Sequence, residues 1–244
     1  MELGLAGRVA LVTAASRGLG AAVARSLVAE GARVLICARG AADLASAVEQ
    51  LRALGGDAEG LVCDVVSADA ARQLGALSES RFGQTPDILV CNAGGPPPGG
   101  FSSLRDEAWR EAFELSFLST ARLVRRFAPD MSARGWGRVV TITSATVLRP
   151  LDGMTLSNVV RPAVVALMRE LAPQLAPHGV TFNNAAPGYT STDRVGALIK
   201  AQAERTGSTV EEVRALRVAA IPAGRMGDPD DFAAAVTFLC SAKA

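Results

Sequence analysis

The sequence predicts an α/β fold in which helices cover both faces of one doubly wound parallel sheet. Short aliphatic and β-branched runs alternate with longer amphipathic segments over the whole chain. Strands that are buried on both faces have such continuous apolar runs, and strand–helix–strand repetition produces right-handed crossovers. The chain has 244 residues and is 49% hydrophobic, which suits one large core. We therefore expect a single domain over 1–244.

Six runs of strand length define the predicted sheet: 8–13, 33–37, 58–63, 87–91, 138–143 and 180–183. Five segments of helix length lie between them: 18–30, 41–54, 68–82, 106–134 and 154–176. After the sixth strand come two shorter helical pieces, 193–205 and 210–219. They lie at the edge of the sheet where open α/β folds bind ligands, so we expect 191–222 to form a substrate lid.

Two prolines interrupt the predicted helix over 154–176. Pro162 and Pro173 have no N–H group, so each removes the bond to the carbonyl four residues earlier. A proline costs about 3 kcal/mol in a regular helix interior. We therefore expect this helix to be bent.

Composition limits the partners of the chain. Twenty-five basic and 24 acidic residues leave no net field that would attract nucleic acid or an anionic membrane. No run approaches the roughly 20 apolar residues that a membrane span needs, and no basic segment leads into an apolar one at the start. We expect a cytoplasmic protein with small-molecule partners and copies of itself.

The four cysteines show no pattern of a metal site or a disulfide framework. Cys37, Cys63, Cys91 and Cys240 contain no C-x-x-C pair. Small, weakly polar side chains of this kind usually pack in a core. The sequence therefore predicts no metal and four core cysteines.

The first strand ends in a turn that is typical of a phosphate-binding site of the Rossmann type. Glycines at a strand-to-helix turn let the backbone approach a pyrophosphate, and the helix N-terminus supplies free N–H groups. Alone, such a turn is equally compatible with an ordinary connection. Three further motifs follow later strands and favour a dinucleotide. The turn is Thr13-Ala14-Ala15-Ser16-Arg17-Gly18-Leu19-Gly20, and the later motifs are Asp64-Val65, Asn92-Ala93-Gly94 and Ala186-Pro187-Gly188.

These ordered motifs resemble those of the short-chain dehydrogenase/reductase family, in particular the group similar to bacterial 3-oxoacyl-(acyl carrier protein) reductases. The resemblance covers essentially the whole chain, including 221–229, which is similar to the family's link into its last helix. It implies an oxidoreductase that acts on a carbonyl or alcohol and binds a nicotinamide dinucleotide. The implied cofactor-binding residues are Thr13, Ser16, Arg17, Gly18, Leu19, Gly20, Asp64, Val65, Asn92, Ala93, Gly94, Arg161, Pro187, Gly188 and Thr192.

Charge after the second strand favours NADP(H) over NAD(H). An acidic residue at that position would bind the ribose 2′-hydroxyl of NAD, but here Ala38 is followed by Arg39. Arg39 and Arg17 together can hold a 2′-phosphate through forked, charge-assisted bonds. The alternative is a pair of solvated surface arginines.

The motif at the first turn departs from the family at one position. It usually begins Thr-Gly, and Ala14 replaces that glycine. A positive φ at Ala14 would cost about 1–2 kcal/mol. We therefore expect either a reshaped turn or a negative φ.

The resemblance also implies a catalytic tetrad of Asn, Ser, Tyr and Lys, of which only the serine is present. The corresponding positions are Ser116, Ser144, Ser157 and Arg161. In the family the tyrosine gives a proton to the substrate oxygen, and the lysine lowers its pKa and holds the nicotinamide ribose. A serine is a shorter and far weaker acid than tyrosine, whose pKa is about 10. Arg161 can bind ribose hydroxyls but cannot relay a proton, and a helix-surface arginine is the alternative.

One other side chain is a candidate acid. Tyr189, the only tyrosine, follows Pro187-Gly188 and is expected near the nicotinamide, either as a replacement acid or as a packed anchor of the lid. The only histidine, His178, falls at a helix end, where a surface role is expected.

Two functions remain open from the sequence. One is an oxidoreductase with an atypical site built from Ser144, Ser157, Arg161 and Tyr189. The other is a dinucleotide-binding protein without redox activity, such as a sensor or an inactive subunit.

The resemblance further implies a symmetric dimer or tetramer formed through the helices over 106–134 and 154–176. The spacing of Phe113, Phe117, Val124 and Phe127 predicts one apolar helical face, for which packing within one chain is the alternative. Members of the family continue into a further strand after the position of Ala244. Either that strand lies outside this sequence or the sixth strand has an uncovered edge.

Overall fold

Six parallel strands form one sheet, as predicted. A computed structural model describes all 244 residues, Met1–Ala244. The strand order is β3-β2-β1-β4-β5-β6, and every pairing is parallel. Each end falls within two residues of its predicted position. The strands are β1 (Val9–Val12), β2 (Arg33–Ala38), β3 (Ala58–Val62), β4 (Ile88–Cys91), β5 (Gly137–Ile142) and β6 (Val180–Ala185).

Nine α-helices connect and cover the strands. Their bounds are α1 (Gly18–Ala29), α2 (Ala41–Ala53), α3 (Ala70–Phe82), α4 (Asp106–Phe113), α5 (Ser119–Ala133), α6 (Thr155–Leu175), α7 (Asp193–Thr206), α8 (Val210–Ala219) and α9 (Pro229–Leu239). Helices α1, α2 and α9 bury one face of the sheet, and α3, α5 and α6 bury the other. The predicted fold class, a Rossmann-type sheet with helices on both faces, is thereby confirmed.

Strand β1 is the centre of the sheet and the place where the chain changes direction across it. All four of its residues are buried. From β1 the chain adds β2 and β3 on one side, and then β4, β5 and β6 on the other. Loops that leave the carboxyl ends of β1 and β4 therefore diverge, which opens a crevice of the kind that binds ligands in such sheets.

The segment 106–134, predicted as one helix, contains a five-residue π turn at Glu114–Leu118. Because a π turn takes up one more residue than an α turn, it rotates the second half of the helix relative to the first. Val124 and Phe127 are buried in the chain's own core. Phe113 is 41% exposed, and its ring stacks on that of Phe117 with 4.8 Å between centroids. The prediction of a single apolar face was therefore wrong.

Helix α6 runs without a break through both prolines, from Thr155 to Leu175. Four buried apolar residues at spacings of four hold it against the rest of the chain: Leu156, Val160, Val164 and Met168. The bend expected at the prolines stays a prediction.

Strand β6 pairs only with β5 and forms one edge of the sheet. Cys37, Cys91 and Cys240 are buried and Cys63 is partly buried, all as free thiols. None of the helices combines the length and the apolar character that crossing a membrane requires.

The turn after β1 contains the only non-glycine residue with a positive φ. Ala14 has a φ of 48°, so the expectation of a negative φ there was wrong. The neighbouring strands fix this conformation, because the Ala14 carbonyl accepts from Asn92 Nδ2 at 3.1 Å and the Ala15 N–H donates to the Cys37 carbonyl at 3.1 Å. This backbone conformation costs about 1–2 kcal/mol in strain.

Replacing Ala14 by glycine relieves this strain. Ala14→Gly should raise the free energy of unfolding by about 0.5–1 kcal/mol, because the relief exceeds the extra entropy that glycine gives the unfolded chain. Urea denaturation measures the change. The matched control Ala21→Gly, inside α1, should lower stability by about 1 kcal/mol. Equal losses in both variants would show that Ala14 is not strained.

Candidate active site

A cleft of about 1700 Å³ follows the carboxyl ends of the strands. The segments after all six strands line it, and α7 and α8 of the predicted lid form its outer wall. Most residues predicted to bind the cofactor come together here. They are Ser16, Arg17, Gly18, Leu19, Arg39, Asp64, Val65, Asn92, Ala93, Gly94, Arg161, Pro187, Gly188 and Thr192.

Helix α1 presents free hydrogen-bond donors to this cleft. Its N-cap, Arg17, makes no side-chain capping bond. The N–H groups of Gly18 and Leu19, which line the cleft, have no acceptor within the protein. These are the orphan donors of a helix N-terminus, where the partial positive charge of the helix is concentrated. An anion such as a pyrophosphate would satisfy them.

Two residues predicted to bind the cofactor shape the turn and do not line the cleft. The Thr13 hydroxyl donates to the Asn92 carbonyl at 2.6 Å and accepts from the Asn92 N–H at 2.9 Å. Gly20 is buried so closely that a Cβ would lie 2.7 Å from the Ala14 carbonyl oxygen. Both residues act through the shape of the turn.

Two arginines stand at the end of the cleft formed by β1 and β2. Arg17 and Arg39 are both exposed. Arg39 Nη1 lies 3.9 Å from Asp64 Oδ2, with 80% of the Arg39 side chain in solvent. Such an exposed pair contributes little to stability, so the guanidinium is free to bind another anion.

A chain of three hydroxyl residues crosses the opposite end of the cleft. Ser144 follows β5, and its Oγ accepts from the Thr146 N–H at 3.2 Å. Thr146 Oγ1 lies 3.1 Å from Ser157 Oγ on α6. Ser157 is only 2% exposed. These hydroxyls can orient a carbonyl oxygen, but none is an acid near neutral pH. The sequence analysis missed Thr146, because the turn after Ser144 depends on the serine hydroxyl and does not specify the residue two positions later.

Arg161 is buried beside these hydroxyls, so the alternative of a helix-surface arginine was wrong. It is 9% exposed, and its Nη1 donates to the carbonyls of Ile142 and Thr143, both at 3.0 Å. Burial, with a smaller contribution from the charge of Arg194, lowers the pKa of Arg161 to about 10. The group is still protonated at neutral pH. Its Nε and Nη2 make no hydrogen bond within the protein.

Ser116, at the implied asparagine position, lies within the π turn. It is 5% exposed, and its Oγ is buried without a hydrogen-bond partner. It does not line the cleft.

Tyr189 lines the cleft, and its ring packs against the lid. The Arg217 guanidinium lies 4.8 Å from the ring centroid. Gln202 Oε1 accepts from that guanidinium at 2.6 and 3.1 Å. This packing favours the role of a lid anchor. His178 is exposed at the end of α6 and does not line the cleft.

A further arginine, missed in the sequence, connects the lid with the loop after β4. Arg194 is in the first turn of α7, and its Nη2 donates to the Pro96 carbonyl at 2.7 Å. A Cβ on Gly95 would lie 2.9 Å from this nitrogen, so a larger residue there would displace the Arg194 guanidinium. Partial burial lowers the pKa of Arg194. No local sequence signal marks this contact, which joins residues 98 positions apart.

Sequence comparison places the chain among known oxidoreductases. A sequence model described as short chain dehydrogenase matches residues 8–203. The chain is 34% identical over 231 residues to the short-chain reductase protein NovJ of Streptomyces niveus, covering 95% of this chain and 86% of that protein. It is 33% identical over 238 residues to human dehydrogenase/reductase SDR family member 4, covering 97% and 82%.

Solved structures show the same similarity. L-sorbose reductase from Gluconobacter frateurii, complexed with NADPH and L-sorbose, superposes with a TM-score of 0.93 at 28% identity, covering 100% of this chain and 93% of that one. A 3-oxoacyl (acyl-carrier-protein) reductase from Agrobacterium tumefaciens with NADP bound has a TM-score of 0.87 at 33% identity, covering 99% and 90%. The extent of the family match and the identity to these relatives show that the chain belongs to the short-chain dehydrogenase/reductase family.

Proposed function

We propose that the protein is an NADP(H)-dependent oxidoreductase acting on a carbonyl or alcohol substrate, similar to the 3-oxoacyl reductases, with an atypical catalytic site. The observation that carries the proposal is the set of free N–H groups at the start of α1, inside a cleft large enough for a dinucleotide. Relatives that share this fold were solved with NADPH or NADP.

The residues present fit such a cofactor. A Cβ on Gly94 or Gly188 would meet no atom within 4 Å, so the wall of the cleft is open at both positions. The donors of Gly18 and Leu19 suit the pyrophosphate, and Asp64 and Val65 suit the adenine end. When bound, the nicotinamide supplies or accepts a hydride.

We assign the phosphate preference to Arg17 and Arg39. No carboxylate follows β2 at the position of Ala38, and the ion pair of Arg39 with Asp64 is long and exposed. Both guanidinium groups are therefore available for a 2′-phosphate, which they would bind through charge-assisted bonds.

In the catalytic half of the cleft, Ser157 and Arg161 take the positions of the family's Tyr and Lys, and Ser116, outside the cleft, takes that of the Asn. Ser144 and Ser157 orient the substrate oxygen, and Arg161 binds the ribose hydroxyls through Nε and Nη2. The charge of Arg161 stabilises negative charge on that oxygen electrostatically. The loss of a general acid typically costs 10²–10⁴-fold in rate. Against a median turnover of about 10 s⁻¹, we expect roughly 10⁻³–10⁻¹ s⁻¹.

Tyr189 remains a candidate replacement acid because it lines the same cleft. Its ring is already held by Arg217, which favours anchoring over proton transfer.

One observation favours a second function, a dinucleotide-binding protein without redox activity. Ser157 is 2% exposed, and its hydroxyl is already within hydrogen-bond distance of Thr146, so little of the residue faces a substrate. A sensor or an inactive subunit would retain the cofactor cleft and need no acid.

We also propose a symmetric dimer or tetramer through α4, α5 and α6. Phe113 of α4 is 41% exposed and Val159 of α6 is 56% exposed, and the two helices pack against each other. Apolar residues left in solvent on adjoining helices suit an interface with a second copy.

The oligomer is tested by charge insertion at this surface. A double variant, Phe113→Glu with Val159→Glu, should be monomeric by light scattering at micromolar concentration, since burying two carboxylates in an apolar contact is unfavourable. The control Leu54→Glu, at an exposed apolar residue after α2, should leave the mass unchanged. A monomeric parent protein would refute the assembly.

The cofactor preference is tested by charge reversal. The parent should bind NADPH more tightly than NADH, and Arg39→Asp should weaken NADPH binding by about 10–100-fold because it removes a charge-assisted bond and adds repulsion. Fluorescence titration measures both affinities. Arg169→Asp, at an exposed arginine of α6 outside the cleft, is the control. Equal affinities for both nucleotides in the parent would overturn the assignment.

The missing acid is tested by restoring it. Ser157→Tyr combined with Arg161→Lys, with and without Pro162→Ala, should raise the turnover of a small activated ketone by up to 10²–10⁴-fold. Ser157→Phe with Arg161→Lys has the same bulk without the hydroxyl and should give no gain. The readout is NADPH oxidation.

A separate variant tests the replacement acid. If Tyr189 donates the proton, Tyr189→Phe abolishes the activity of the parent while NADPH affinity is retained. An absence of hydride transfer in the parent and in every tyrosine variant, with NADPH still bound, would leave the non-redox binding protein as the function.

A further inference from the structure

An arginine in the first turn of α5 connects the π turn to the β3 loop, the segment 64–67 that follows β3. Arg122 Nη1 donates to the Val66 carbonyl at 3.0 Å and to Glu114 Oε2 at 2.8 Å. One nitrogen can make both bonds because it carries two hydrogens. The Arg122 side chain is only 21% exposed. Because Val66 lies 56 positions away, this contact fixes tertiary structure and not the helix itself.

The β3 loop has no other hydrogen bond to a distant part of the chain. Its internal bonds are local, since the Val66 N–H donates to Asp64 Oδ1 at 3.1 Å and the Ser67 N–H donates to the Asp64 carbonyl at 3.0 Å. The ion pair between Arg39 and Asp64 is long and exposed, so it holds the loop weakly. The position of the loop backbone therefore depends on Arg122.

The β3 loop presents an acceptor and a donor to the cleft. Asp64 and Val65 line the cleft, whereas Val66 and Arg122 do not. The Val65 N–H has no acceptor within the protein, and the Asp64 carboxylate has lone pairs beyond the one that Val66 uses. Adenine has an amino donor beside a ring-nitrogen acceptor on its Watson–Crick edge. A carboxylate and an N–H group match that edge only while the loop keeps its shape.

The second contact of Arg122 orients the guanidinium itself. Glu114 is the first residue of the π turn, and the next residue, Leu115, lines the cleft. A bond between two charged groups is stronger than one to a neutral carbonyl, so Glu114 holds the guanidinium in place for Val66. Turns of this kind are frequent at functional sites. Arg122 therefore ties the β3 loop to the wall of the cleft at Leu115.

We propose that Arg122 is a positioning residue for the adenine half of the cofactor. It touches neither the cofactor nor the substrate, and it acts by holding the β3 loop where Asp64 and Val65 meet the base. This role rests on the proposed function, because it takes the occupant of the cleft to be a nicotinamide adenine dinucleotide. An arginine that only stabilised the fold would affect every nucleotide alike, whereas a positioning residue affects recognition of the base.

The test compares NADPH with its hypoxanthine analogue, reduced nicotinamide hypoxanthine dinucleotide phosphate. In the analogue a carbonyl oxygen replaces the amino group and the neighbouring ring nitrogen carries a hydrogen. Donor and acceptor are thereby exchanged, while the phosphates and the nicotinamide stay the same. Fluorescence titration measures both affinities. The parent protein should bind NADPH about 10-fold more tightly, which is the effect of losing one hydrogen bond to a charged group.

Variants of Arg122 identify the source of this preference. Arg122→Met keeps the apolar stem without the donors and should reduce the preference to about 2-fold or less. Arg122→Lys retains a charged donor and should restore most of the preference. Glu114→Gln keeps an acceptor but removes the charge, so it should lower the preference in part. The matched control is Arg125→Met, at an exposed arginine of the same helix, which should change nothing.

Three outcomes contradict this role of Arg122 while the proposed cofactor stands. They are equal affinity of the parent for both nucleotides, an unchanged preference in Arg122→Met (or in Glu114→Gln, if Arg122→Met does not fold), and an equal loss in Arg125→Met. A parent protein that binds neither nucleotide would refute the proposed function and this role together. A base preference that depends on Arg122, without NADPH oxidation, would contradict the oxidoreductase and leave the positioning role standing.

Discussion

The hydrogen bonds between Thr13 and Asn92 hold together the two loops on which the site depends. They tie the turn after β1 to the loop after β4, at the point where the strand order reverses. The Asn92 side chain fixes the carbonyl of Ala14 and so maintains its unusual backbone. That conformation directs the free N–H groups of α1 into the cleft, while the same loop places Gly95 beneath Arg194. One buried contact therefore positions both ends of the cleft.

Under the proposed function, fixed positive charge takes the place of proton transfer in the catalytic half of the cleft. The Thr146 and Ser157 hydroxyls lie within hydrogen-bond distance of each other, and the Ser144 hydroxyl accepts from the Thr146 N–H. None of the three hydroxyls ionises near neutral pH. Beside them Arg161 holds its charge, because a pKa of about 10 keeps the guanidinium protonated. Under the same proposal, this preorganised charge would stabilise a developing oxyanion without moving a proton.

The sequence predicted the sheet well because strands buried on both faces leave uninterrupted apolar runs, as in Val9–Val12. Cofactor residues could be predicted for the same reason, since they follow those strands directly. The π turn at Glu114–Leu118 could not be predicted, because a turn that is one residue longer than an α turn leaves no mark in the composition of the helix. The burial of Arg161 and the contact of Arg194 with Pro96 depend on tertiary packing between distant segments. Ala14 stands out in the sequence because alanine replaces a glycine there. The sign of its φ depends on hydrogen bonds to two neighbouring segments, which the sequence does not show.

The hydrogen bond between Arg194 and Pro96 also affects how fast the cleft can open. It is the direct hydrogen bond by which α7 holds the loop after β4, and it spans the inner end of the cleft. Any movement of α7 away from the loop after β4 must break this bond. If a substrate enters and leaves between these two segments, opening of the bond sets an upper limit on turnover, as lid motion does in many enzymes.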